Sequence, residues 1–99
     1  SKIRRGDMVA VHSLRRGAAE ALELVAHGDR ASSKVVGRRI EEIDSPKGAT
    51  IGAIVRGEQV IIAHHDTVIE AEDHIIVFVN DKSMVRKVEK LFQVNLGFF

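Results

Sequence analysis

Val55 to Val79 reads V-R-G-E-Q-V-I-I-A-H-H-D-T-V-I-E-A-E-D-H-I-I-V-F-V, and it uses one device twice. An acidic turn, Arg56-Gly57-Glu58 and then Glu70 to Asp73, hands over to a run of β-branched residues. Such residues fit a pleated, half-buried surface, while Gly, Asp and Glu at the junctions favour turns, so the stretch predicts two strands punctuated by tight turns. Thr50 to Val55 precedes it and closes a hairpin with Val60 to Ala63 around Arg56-Gly57-Glu58. His74 to Val79 is apolar almost throughout, which predicts a strand buried on both faces.

Outward from this module, Met8 to Leu14 predicts another strand after the Arg5-Gly6-Asp7 turn. R-G-D-M-V-A-V-H there echoes R-G-E-Q-V-I-I-A-H, an echo too short to argue for internal duplication. Ala18 to His27 is ambiguous. Ala, Leu and Glu favour helix, with Gly28 as its cap, whereas alternation places Leu22, Leu24 and Ala26 on one face of a strand. Val35 to Ile43 predicts a short amphipathic helix through Val36, Ile40 and Ile43, started by Ser32 or Ser33 and ended by Asp44-Ser45-Pro46. Asp81 caps a second helix over Lys82 to Phe92, with Met84, Val88 and Leu91 in one stripe. Gln93 to Phe99 is a tail without structure unless its phenylalanines dock.

The 99 residues suit one domain, with 44% apolar and 29% charged residues as in ordinary globular chains. The net charge of +1 offers no global field for nucleic acid or anionic lipid, despite the basic segment Lys2 to Arg5. There is no cysteine, hence no disulfide or thiolate chemistry, and no apolar run long enough to span a bilayer. A start at Ser1 and a lead-in over residues 1–8 suggest a piece cut from a larger protein.

The five histidines, 12, 27, 64, 65 and 74, raise a metal site. On a strand His64 and His65 point to opposite faces, so polar turn residues explain them better than zinc ligands. No G-x-G-x-x-G, G-x-x-x-x-G-K-S/T or G-x-S-x-G motif is present, and the carboxylates Glu41-Glu42 and Glu70, Glu72 and Asp73 each fall on an expected exposed helix face or turn. Catalysis is therefore not expected. Arg15-Arg16 and Arg38-Arg39 are forks for a phosphate or carboxylate, weighed for Arg38-Arg39 against a solvated pair balanced by Glu41 and Glu42 on the same helix.

S-L-R-R-G-A-A-E-A-L-E-L at 13–24, V-G-R-R-I-E-E-I at 36–43, G-A-I-V-R-G-E at 52–58 and D-T-V-I-E-A-E-D-H-I-I-V-F at 66–78 together resemble the RCK C (TrkA C-terminal) domains of Trk potassium-uptake systems. The resemblance covers most of the chain in the family's order. It implies an α+β fold, a small mostly antiparallel β domain of about five strands with two short helices, in which 18–27 is a strand. The expected core is Val9, Val11, Leu22, Leu24, Ile54, Ile61, Ile75, Val77 and Phe78. The chain would be a single domain over 1–99, with 93–99 as its tail.

Two departures stand out. Ala71-Glu72-Asp73 replaces the family's Pro-Gly-Asp, and Ala63-His64 stands where the family often has a proline. The resemblance further implies a non-enzymatic, cytoplasmic regulatory domain, peripheral on the inner face of the membrane. It would form a homodimer or higher homo-oligomer and act on a membrane potassium transporter subunit. No cofactor is expected in this fragment; NAD or ATP/ADP would bind to missing upstream domains. A small anionic ligand would sit at strand ends around Ile54, Arg56, His64 and Asp66, with Arg56 meeting the anion. The alternative class is a nucleic-acid-binding or generic small-molecule module. Four phenylalanines, with no Trp or Tyr, make a poor stacking platform for nucleic acid.

Overall fold

A computed structural model describes residues 3–4, 7–15 and 19–95. Strand β1 is Ile3–Arg4, β2 Asp7–Leu14, β3 Ala19–Val25, β4 Ala49–Arg56, β5 Gln59–Ile62 and β6 His74–Val79. Helix α1 is Val85–Leu91 and β7 is Val94–Asn95. Strands β2-β3-β6-β4-β5 form one five-stranded sheet, antiparallel throughout, and β1 pairs with β7 in a separate two-stranded sheet. This is the α+β architecture that the sequence implied.

Residues paired across an antiparallel ladder share a face. Leu22 stands opposite Val77, Leu24 opposite Ile75, and Ile75 opposite Ile54, which defines an inner face. These side chains are buried with Ile51 and Val79 in one cluster. Its second layer is irregular: Ala26, Val35, Val36 and Ile43 from the β3–β4 connection, Ile69 before β6, and Val88 and Phe92 at α1. A sheet must bury one face against something, and here loops do more of this than helices.

Segment 18–27 is the strand β3 across most of its length, because Leu22 and Leu24 gain full burial between β2 and β6 and this outweighs local helix propensity. Segment 35–43 is not a helix; it holds only a 3₁₀ turn at Ile40–Glu42. Gly37 adopts φ 77, and the backbone pairs sideways instead: Gly37 N–H donates to Ile69 O (2.8 Å), Ile40 N–H to Thr67 O (2.9 Å) and Ile69 N–H to Arg38 O (3.1 Å). The apolar periodicity was still real, since Val36 and Ile43 are buried and Ile40 is packed against the core. Ser33 Oγ accepts from the N–H groups of Val35 and Val36, both at 3.0 Å, in the capping role expected for a helix start. Asp81 caps the second helical segment as expected, accepting from Ser83 N–H at 2.8 Å. That segment opens with a 3₁₀ turn at Lys82–Met84.

Three further expectations are corrected. Val94 is buried and strand-paired, so the tail begins structured; residues 96–99 lie outside the described residues. Val9, Val11 and Phe78 are exposed. Strand β6 is central in the sheet, yet only Ile75, Val77 and Val79 are buried, because the outer face has no covering layer.

Candidate functional site

Arg56 ends β4 on the inner face, and its guanidinium is fully engaged. Nε and Nη2 donate to Asp73 Oδ1 and Oδ2 at 2.9 and 2.8 Å, Nη2 also donates to Val68 O at 3.0 Å, and Nη1 lies 3.1 Å from Glu70 Oε2. Asp73 is 1% exposed and also accepts from Glu70 N–H at 2.8 Å. This is a bidentate, charge-assisted pair at a protein edge, the strong form of such contacts. The hydrogen bonds that Arg56 donates to Asp73 raise its pKa above the ordinary value, with the charges of Asp73 and Glu70 adding to it. Mechanically, the pin ties the end of β4 to the turn that launches β6.

That turn carries the departure from Pro-Gly-Asp. Glu72 adopts φ 70, a left-handed conformation that glycine takes without cost. Its carboxylate lies 2.8 Å from His27 Nδ1, and the backbone is tied across at Ala26 N–H to Asp73 O (2.9 Å).

The four expected ligand residues are not gathered into one surface. Ile54 is wholly inside the core and Arg56 is held by Asp73, while His64 and Asp66 are exposed on the turn after β5. In that turn His64 N–H donates to Thr67 Oγ1 at 2.9 Å. His65 Nδ1 lies 3.1 Å from Glu41 Oε2, which also accepts from Arg39 Nη1 at 2.9 Å. The His65 pKa is raised, first by the Glu41 hydrogen bond and then by the charges of Asp66 and Glu41.

The Arg38-Arg39 fork is divided. Arg38 Nη1 donates to the carbonyls of Arg30, Ser33 and Val36 at 3.2, 2.9 and 3.1 Å, fastening the β3–β4 connection. Arg39 pairs with Glu41 and Glu42, and the Arg39 N–H holds the Glu42 carboxyl below its usual range. Arg16, the second member of the other fork, lies outside the described residues. Among the described residues no three His, Asp or Glu converge as a metal site would need, and no helix is long and apolar enough to cross a membrane.

Sequence reasoning did not find Asp73 as the partner of Arg56. The available signal was an acid three residues after Glu70 and directly before an apolar strand, a spacing that lets a carboxylate accept its own turn's N–H. It also did not find the outer sheet face. Val60, Ile62 and Phe78 lie there, 65%, 63% and 45% exposed, beside Ala53, Val55 and Ile76. His74 Nδ1 and Glu23 Oε2 meet across β6 and β3 on this face at 2.6 Å.

A family model described as the TrkA-C domain matches residues 30–93. The chain is 66% identical over 97 residues, 98% of its length, to the Trk system potassium uptake protein TrkA of Halomonas elongata. It is 63% identical over 91 residues (92% of the chain) to the protein of that name from Vibrio alginolyticus, and 48% over 96 residues (97%) to that of Haemophilus influenzae. The chain spans about a fifth of the length of these relatives, 21%, 20% and 21% respectively. With that family model matched over more than half of the chain, the chain belongs to the TrkA-C domain family.

Proposed function

We propose that this chain is a non-enzymatic regulatory domain of a bacterial Trk potassium-uptake system, acting in the cytoplasm at the inner face of the membrane. In this reading it pairs with a second copy and relays ligand state to a membrane transporter subunit. The observation that carries it is the nearly end-to-end similarity to proteins named for potassium uptake. In this reading Arg56, Asp73, Arg38 and Ser33 serve the backbone, holding the turns and connections of the domain together. Nucleotides such as NAD or ATP/ADP belong, in this reading, to other domains of the longer protein.

A small anionic ligand enters most easily at the exposed edge of Arg56. It would replace Glu70, which is 61% exposed, while Asp73 stays in place, with His64 and Asp66 on the adjoining turn. Calorimetric titration with cyclic dinucleotides, nucleotides and divalent cations, on the wild type and on His64→Ala, tests this. Absence of heat throughout would leave the domain as an assembly and relay element.

The function itself is tested in the full-length protein. Removing this domain should abolish regulated potassium uptake in cells that depend on the Trk system, and weaken co-purification with the transporter. Unchanged uptake and unchanged co-purification would refute the reading.

A further inference from the structure

We infer that the solvent face of α1, extended by Lys82 and Lys34, is a lysine-rich surface that adsorbs to an anionic lipid bilayer. This rests on the proposed function, which sets the domain at the inner face of the membrane, and names the side of the domain that meets the lipid. Val88 and Phe92 of this helical segment turn into the core, each 1% exposed. By helical periodicity Arg86, Lys87 and Lys90 then point away from the core, and all three are exposed. Lys82, also exposed, precedes Arg86 by four residues and continues the line of Arg86 and Lys90. Lys34 joins them from the β3–β4 connection, because it lines one depression with Lys90, Gln93 and Asn95.

Two groups of cations stand apart among the described residues. Arg30, Arg38, Arg39 and Arg56 each spend the guanidinium inside the domain, on Gly37 O, on three carbonyls, on Glu41 and Glu42, and on Asp73. By contrast, the side chains of Lys34, Lys82, Arg86, Lys87 and Lys90 make no hydrogen bond or ion pair among the described residues. Asp81, beside Lys82, is committed to the Ser83 N–H, and Glu89 is the one carboxylate within α1. A solvated helix face ordinarily mixes its signs so that residues four apart attract. Here Lys82, Arg86 and Lys90 repeat one sign at that spacing, which weakens a helix of only seven residues. A face that costs the free domain stability is matched by an anion outside it.

The residue types select a bilayer over a shaped partner. Arginine presents a planar fork for two-point contact with a carboxylate or phosphate, whereas the lysine ammonium is a compact charge on a flexible stem. This domain uses arginine for its directed contacts, as in the Arg56–Asp73 pair, yet four of the five cations on the face are lysines. They are spread over the convex side of a helix, with Lys82 and Lys90 roughly 13 Å apart along it, and do not converge on a point. Such a layer suits the diffuse negative charge of a cytoplasmic leaflet, where each lysine or arginine near the surface improves partitioning about fivefold. Five of them give a partition constant on the order of 10³ M⁻¹, weak and reversible. The contact is electrostatic, since the apolar side of α1 is already spent on the core.

Cosedimentation of the chain with vesicles provides the test, using phosphatidylglycerol and phosphatidylcholine in equal parts against phosphatidylcholine alone. We expect binding to the first only, lost when salt rises from about 0.1 M to about 1 M and the Debye length falls from about 10 Å to about 3 Å. Lys87→Gln/Lys90→Gln, which preserves helix propensity, should bind about 25-fold more weakly, and Lys87→Arg/Lys90→Arg should bind as the wild type does. Arg86→Gln, at about fivefold, keeps the test informative if the double variant frays α1. Gln59→Glu, exposed on β5, lowers the net charge away from the face and should leave binding unchanged. Absence of wild-type binding at low salt, or equal binding to both vesicles, overturns the inference and leaves the regulatory reading standing, since that is judged by potassium uptake with the full-length protein. A loss of about fivefold in Gln59→Glu would assign the binding to net charge and not to this face. Tighter binding to soluble polyglutamate than to an equal concentration of anionic headgroups would assign the face to an acidic polypeptide; either result overturns the inference.

Discussion

Replacing Arg56 with alanine should cost this domain about 3 kcal/mol. Asp73 is 1% exposed and accepts two of its hydrogen bonds from the Arg56 guanidinium. Removing one partner of a buried pair strands the other charge, at about 3–5 kcal/mol. Arg56 itself is 31% exposed, so water can reach its outer edge and the lower end applies. The Glu70 contact adds little, since exposed pairs contribute about 0–1 kcal/mol. For a domain of this size the loss should lower Tm by roughly 12 °C or more.

Urea unfolding followed by circular dichroism, on wild type, Arg56→Ala, Asp73→Ala and the double variant, measures both the cost and the coupling. The double variant should cost less than the sum of the singles by at least about 1.5 kcal/mol, because neither partner then remains stranded. It should not return to wild type, since the Glu70 N–H loses its acceptor as well. A cost below about 1 kcal/mol for Arg56→Ala, with an additive double variant, would refute the pin and make Arg56 an ordinary surface cation.

Three more outcomes follow from single contacts. His65 should titrate above its ordinary value, and Glu41→Gln should bring it back down, as read by proton NMR; because the folded pKa is raised, the stabilisation by this pair is full below about 6.5 and is lost as pH rises through the folded value. Glu72→Gly should be more stable than Glu72→Ala by about 1 kcal/mol in thermal unfolding, since both lose the His27 contact and only glycine is at ease in the left-handed conformation. Asp81→Ala should cost about 1 kcal/mol by loss of the cap on Ser83 N–H, with the far-ultraviolet signal reduced by fraying before α1.

What could be read from the sequence was the local grammar. The hairpin at Gly57, the Asp81 cap and the strands β2 and β6 follow from turn chemistry and β-branched runs within a few residues. Segment 35–43 shows the limit: its apolar spacing predicted the buried residues correctly and the backbone wrongly, because the deciding hydrogen bonds go to residues 65–69, far along the chain. Arg56 and Asp73, 17 residues apart, were both visible as residues and invisible as a pair. For Val9, Val11 and Phe78, apolar character could not say what covers them. A hydrophobic run looks the same whether its second face is buried within the chain or against another molecule.

Gly52 ties the two faces of the sheet together. Ile51 and Ile54 are both buried on the inner face although three residues apart, whereas strict alternation would send Ile54 and Arg56 outward. The register slips between Ile51 and Ala53, so the bulge at Gly52 absorbs one residue and inverts everything after it. Ile54 thereby enters the core and Arg56 reaches Asp73, while Ala53 and Val55 turn outward beside Ile62 and Val60. The same glycine, lacking a Cβ, gives the Phe78 ring its place. Both the pin that holds the inner face and the seat of the Phe78 ring on the outer one thus depend on a residue that has no side chain and carries no charge. A methyl group there would push the Phe78 ring out of the plane of the face while leaving Arg56 within reach of Asp73, so the two faces are built by one bulge and remain separable by mutation.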